Sequence, residues 1–84
     1  MHDIHAANQI LKTALEYANK NKFKRISSMT IELGKIVEHN ELITPDNLKY
    51  NIGLISKNTP AENCEIIVNQ SDSNELKLVE IDGE

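Results

Sequence analysis

Apolar residues change period partway along the chain, and that change restricts the folds open to it. Ile4, Ala7, Leu11, Ala14, Leu15 and Ala18 recur at helical spacing, and Ile10 and Tyr17 widen the stripe. Met29, Ile31 and Leu33 then alternate with Ser28, Thr30 and Glu32, the pattern of a strand with one wet face. A striped helix and a one-sided strand bury their apolar sides most simply against each other. HDIHAANQILKTALEYANKNK therefore predicts an amphipathic helix, with Asp3 as N-cap and Lys20, Lys22 and Lys24 near its end, where cations suit the helix dipole. The NKNK run breaks the pattern. Gly34 marks a bulge or the strand end, and KIVEHNEL reads as a loop or irregular edge.

ITPDNLKYNIGLISKN predicts a second helix. Thr44 is its N-cap, Pro45 takes the first helical position, and Leu48, Ile52 and Ile55 form its stripe, with Tyr50 and Leu54 alongside. Gly53 costs about 1 kcal/mol relative to alanine inside a helix, and close packing against the sheet or the first helix would account for it. CEIIVNQ is a second strand. NELKLVEIDG is a third, with Leu76 and Leu78 on one face and a slip to Val79 and Ile81 that requires a bulge or twist. QSDSN between them predicts a hairpin. The order α-β-α-β-β puts two helices on one face of a three-stranded sheet, an α+β two-layer sandwich. No repeat, linker or low-complexity segment divides residues 1–84, so a single domain is expected.

With 84 residues, that domain is small and its stability margin thin. Hydrophobic residues make up 39% and aromatics only 4%, so the core is aliphatic. A net charge of −4 leaves no basic footprint, which argues against a nucleic-acid partner. Cys64 is the only cysteine, which excludes an internal disulfide framework and any CxxC pair. No signal-peptide pattern and no apolar run of spanning length is present, so a cytoplasmic protein without a membrane partner is expected. An exposed strand edge permits dimerisation.

The chain opens MHDIH. Methionine is not normally trimmed before a residue as large as histidine. Met1 then offers a terminal amine, followed by the His2 backbone nitrogen and the His2 imidazole, and all three can close chelate rings on one ion. Ni(II) and Cu(II) favour such tetragonal nitrogen sites. The fourth position falls to the Asp3 backbone nitrogen, the Asp3 carboxylate or the His5 imidazole. The amine must lose its proton, at a reference pKa of roughly 7.7–8.0, so binding strengthens as pH rises. The competing reading needs no metal: Asp3 caps the helix, His2 is an exposed terminal residue and His5 faces solvent.

Other candidates are weaker. Cys64 alternates with Ile66 and Val68 and reads as a buried, inert thiol. His39 lies between Glu38 and Glu41 in a polar loop, where a carboxylate–histidine grouping binds metal or shuttles protons, or is simply a solvated turn. No Ser-His-Asp or Gly-rich phosphate pattern is present, so no catalytic function is expected. Glu32, Glu62, Glu65, Glu80, Asp82 and Glu84, with Glu38 and Glu41, make an acidic surface that serves solubility or attracts a basic partner.

MHD, ALEYA in the first helix and TIELGKI after it resemble the HypA-type nickel-insertion proteins of hydrogenase and urease maturation. NTPAENCEIIV and NELKLVEID are similar to the segments leading into and forming that family's later strands. The resemblance covers nearly the whole chain and implies a nickel metallochaperone that carries Ni(II) as cargo. It puts the nickel ligands on the Met1 amine, on His2 and on the third residue, which is Asp3 here and glutamate in the family. His5 has no counterpart. The implied partners are an accessory GTPase and the large subunit of the nickel enzyme. The family's zinc-binding insert, with two CxxC pairs, would fall between about residues 70 and 74, where only QSDSN stands. One cysteine cannot supply four thiolates, so no structural zinc is expected within one chain. The alternative is a metal-free interaction module, a paralogue that kept the fold and lost nickel delivery.

Overall fold

A computed structural model describes residues 4–38 and 41–84. Helix α1 (Ile4–Lys20) buries Ala7, Ile10, Leu11, Ala14 and Ala18 of the predicted stripe and also Ala6, which the stripe omits; Leu15 is only partly buried, and Tyr17 is 49% exposed and lies outside it. The helix stops in a Schellman turn. Phe23 N–H reaches back to the Ala18 carbonyl (2.8 Å) and Lys22 N–H to that of Asn19 (3.1 Å), with Lys22 itself left-handed at φ 61°. Folding the chain back there carries it directly into the sheet.

Strand β1 (Ile26–Leu33) is the most deeply buried strand: Ile26, Met29, Ile31 and Leu33 are at most 1% exposed. It is followed by two-residue strands β2 (Val37–Glu38) and β3 (Glu41–Leu42), which pair antiparallel as a small second sheet where the sequence reads as loop or irregular edge. Helix α2 (Pro45–Ile55) starts as expected, with Asn47 N–H donating to Thr44 Oγ1 at 3.2 Å and Pro45 in its first turn. Leu48 and Ile52 are buried, but Tyr50 and Leu54 are 68% and 43% exposed and take no part in the core. Gly53 is not explained by close packing: a Cβ there would meet nothing within 4 Å. Strands β4 (Glu65–Gln70) and β5 (Leu76–Gly83) complete a three-stranded sheet.

The strand order is β4-β1-β5, with β1 parallel to β4 and antiparallel to β5. The expected β4–β5 hairpin is therefore incorrect. Pairing those two strands would leave β1, the most apolar, at an edge; the observed order buries it in the middle. The turn between β4 and β5 instead crosses the end of β1. Ser71 N–H bonds the Leu33 carbonyl (2.9 Å), Gly34 N–H that of Glu75 (2.8 Å) and Lys35 N–H that of Ser73 (2.8 Å). Gly34 is thus the strand end, and a Cβ on it would collide with the Ser73 carbonyl and come within 2.7 Å of the Glu75 oxygen. The slip in β5 is real: Thr30 faces Glu80 but Ile31 faces Leu78, leaving Val79 as the bulged residue.

Both helices pack on one face of this sheet and on each other, α1 against β5 and α2 against β4. That is the α+β two-layer architecture expected. Among the described residues no helix is long and apolar enough to cross a membrane.

Candidate metal centre

The first turn of α1 carries His5, and the core begins at once beyond it. Ala6 and Ala7 are 4% and 0% exposed, so the helix is clamped from its first turn while His5 stays exposed. Helical geometry forces that division, because His5 lies off the stripe that Ala7, Ile10, Leu11 and Ala14 direct inward. Met1, His2 and Asp3 lie outside the described residues, as does the proposed Asp3 cap. Covalent reach alone keeps the Cα atoms of His2 and His5 within about 11 Å of each other. The described residues therefore contribute one imidazole, on a fixed helix, beside the segment that holds the other proposed donors.

An exposed imidazole is a good ligand for nickel, copper or zinc when further donors join it. A cation at this end of α1 opposes the helix dipole by roughly 0.3–1 kcal/mol. No acidic residue in the described first turn offsets that. Among the described residues, no group of three histidine, cysteine, aspartate or glutamate side chains converges as a metal site.

The remaining candidates separate in space. Cys64 precedes β4, half-buried against the core, and its N–H bonds the Ala61 carbonyl at 3.1 Å. Burial pushes its thiol pKa upward, more than its backbone hydrogen bond lowers it, so it is a protonated thiol near neutrality and a poor ligand or nucleophile. His39 lies outside the described residues. Ser28 Oγ donates to Asp82 Oδ2 at 3.3 Å, a contact across the sheet with no histidine in it.

The register gathers several of the acids that the sequence singles out on the helix-free face of the sheet. Glu65, Ser28 and Asp82 form one row across it, Ile67, Thr30 and Glu80 the next, and Asn69, Glu32 and Lys77 a third. Sequence alternation gives each strand's wet face, but this grouping required the strand order. Alternation also marks Gly34 as a bulge or strand end without disclosing that it lets one backbone cross another.

No family model matches the chain. Three curated archaeal proteins do, each named hydrogenase maturation factor HypA. The protein of Archaeoglobus fulgidus is 30% identical over 74 residues, covering 86% of this chain and 64% of its own length. That of Methanocella arvoryzae is 28% identical over 68 residues, 81% of this chain and 57% of the relative. That of Methanopyrus kandleri is 26% identical over 65 residues, 77% of this chain and 43% of the relative. The chain spans roughly half to two thirds of the length of these relatives. Likeness along most of its own length makes the chain a relative of the HypA-type hydrogenase maturation factors.

Proposed function

We propose that the chain is an accessory factor of hydrogenase maturation that holds Ni(II) at its amino-terminal segment and hands it on to a nickel enzyme. The observation that carries this is its likeness, over 77–86% of its length, to proteins each named a hydrogenase maturation factor. The ligands are the Met1 amine, the His2 backbone nitrogen and imidazole, and a fourth donor from Asp3 or His5. Nickel is cargo, and the chemistry is ligand exchange. Anchoring the site just ahead of the clamped first turn of α1 holds the ion at the protein surface, where an acceptor can attack before the old ligands leave. The accessory GTPase and the large subunit of a [NiFe]-hydrogenase are the proposed donor or acceptor partners.

A second reading draws on Cys64, the single cysteine, which cannot supply the two CxxC pairs of the insert that the resemblance implies. In that reading it binds a partner without metal.

Titrating Ni(II) into untagged protein with a native Met1 separates the two, following visible d–d absorption near neutral pH. The expected result is a yellow, square-planar band. It is lost on His2→Ala and on adding one residue before Met1, while the melting temperature of the apo chain is unchanged. Binding should tighten as pH rises toward the amine pKa of about 8, because the proton and the metal compete for the same lone pair. No band, or a band that survives both changes, removes the amine-anchored site and leaves the metal-free reading.

A further inference from the structure

The outer side of α2 carries residues that serve nothing inside this fold. Gly53 weakens the helix by about 1 kcal/mol, yet a Cβ there would meet nothing within 4 Å. Tyr50 and Leu54, beside it, leave apolar area in water. Lys49 and Lys57 are exposed as well, and among the described residues neither lies within 4.0 Å of a carboxylate.

Helical spacing arranges these residues in rows. Leu48 and Ile52 point into the core, and Ser56 keeps helical angles (φ −80°, ψ −10°) past the end of α2. Lys49, Gly53 and Lys57, four apart, therefore form one row away from the core, and Tyr50 and Leu54 form the next. The groove between the rows widens at Gly53, where no side chain fills it. Rows at this spacing receive the ridge of a second helix crossing at roughly −50°, and the side chains at the crossing set how near the two axes come. A glycine at that point brings them closest.

We propose that this face of α2 is the docking site for an acidic amphipathic helix of a partner protein, whose apolar ridge lies over Gly53 against Tyr50 and Leu54 and whose carboxylates meet Lys49 and Lys57.

Charge selects this occupant. The chain as a whole carries −4, but this face presents lysines, with Asp46 set apart in the first turn of α2. A basic or neutral helix would leave both ammonium groups unanswered. A second copy laid α2 on α2 about Gly53 would oppose like charges: antiparallel, one copy's Lys49 faces the other's Lys57; parallel, each lysine faces its counterpart. Tyrosine is enriched among residues that carry binding energy, and charges at the rim of such a contact select the partner. The site depends neither on nickel nor on the amino-terminal segment.

Isotope-labelled protein and two synthetic peptides of about 18 residues, long enough to form helix alone, test this. One carries a leucine ridge flanked by glutamates, the other the same ridge flanked by lysines. The glutamate peptide is expected to shift the amides of residues 49–57 and to bind about tenfold more tightly than the lysine peptide. Lys49→Glu combined with Lys57→Glu reverses that preference. Tyr50→Ala weakens the glutamate peptide about tenfold. Gly53→Ala separates docking from folding. The melting temperature rises, because alanine suits a helix, while affinity for the glutamate peptide falls about fivefold, because the methyl group fills the groove. The first change without the second overturns the proposal. So do shifts centred outside α2, equal binding of the two peptides, or no binding. Concentration-dependent shifts of these amides without peptide would give the face to a second copy and overturn it too.

Discussion

Lys22 closes the Schellman turn of α1 at φ 61°, a conformation that costs a side-chain-bearing residue and not glycine. Lys22→Gly should therefore raise stability by about 1 kcal/mol, the relieved strain exceeding the extra freedom of the unfolded chain only modestly. Gly53 is the reverse case. It lies inside α2 with open space where a Cβ would point, so Gly53→Ala should gain about 1 kcal/mol. Thermal melting of the two single variants and the double checks both, and the effects should add because the positions share no element. Cys64 links stability to pH. Its thiol ionises less readily in the fold than in the unfolded chain, so below the ordinary thiol pKa of about 8.5 both states are protonated and the group is neutral to stability. Above it the unfolded chain sheds the proton first, and stability falls as pH rises. Urea denaturation from pH 7 to 10 should show that loss, and Cys64→Ser should remove its share. A Cys64 thiol that reacts with a disulfide reagent as fast in the native chain as in urea would refute the assignment.

At the scale of elements, the Gly34 crossing carries the sharpest prediction. A Cβ there drives into two carbonyl oxygens of the turn between β4 and β5, backbone atoms that cannot swing aside, so Gly34→Ala should cost about 1–3 kcal/mol. The urea midpoint should fall with little change in slope. The same place shows what a sequence can disclose. Thr44 and Pro45 announce the start of α2 because capping is local chemistry. The slip at Val79 announces a bulge because side-chain alternation is a property of one strand. Two strands joined by QSDSN look equally like a hairpin, yet they lie on opposite sides of β1. Strand order is set by which strand most needs burial on both sides, and that comparison spans the whole chain. Tyr17, Tyr50 and Leu54 fall at the margins of their helical stripes, where spacing does not decide between rim and core. The candidate site divides in the same way. His5 facing solvent and Cys64 against the core follow from local pattern. The donors proposed at Met1, His2 and Asp3 carry no periodic signal, because a chelate on consecutive residues leaves none.

For the whole molecule, the connection over β1 sets what the fold can accommodate. The Cα radius of gyration is 12.2 Å, close to the roughly 12 Å of a folded chain this long, so one core closes around both layers. The relatives are longer than the parts of them that match this chain. The turn after β4 is a place where the backbone can carry added residues. The turn is tied on one side by Ser71 N–H to Leu33 and on the other by the Ser73 and Glu75 carbonyls to Lys35 and Gly34, with exposed Asp72 between the ties. Ten glycine and serine residues placed after Asp72 should leave those ties standing. Tripling the closed loop in this way costs about 1 kcal/mol of closure entropy. The melting temperature should then fall by about 4–8 °C. The same ten residues placed between Gly34 and Lys35 separate the two N–H donors that hold the crossing backbone, and should cost several-fold more. Equal losses at the two sites would mean that the crossing does not hold the strand order, and β5 would have to be kept beside β1 by side-chain packing alone.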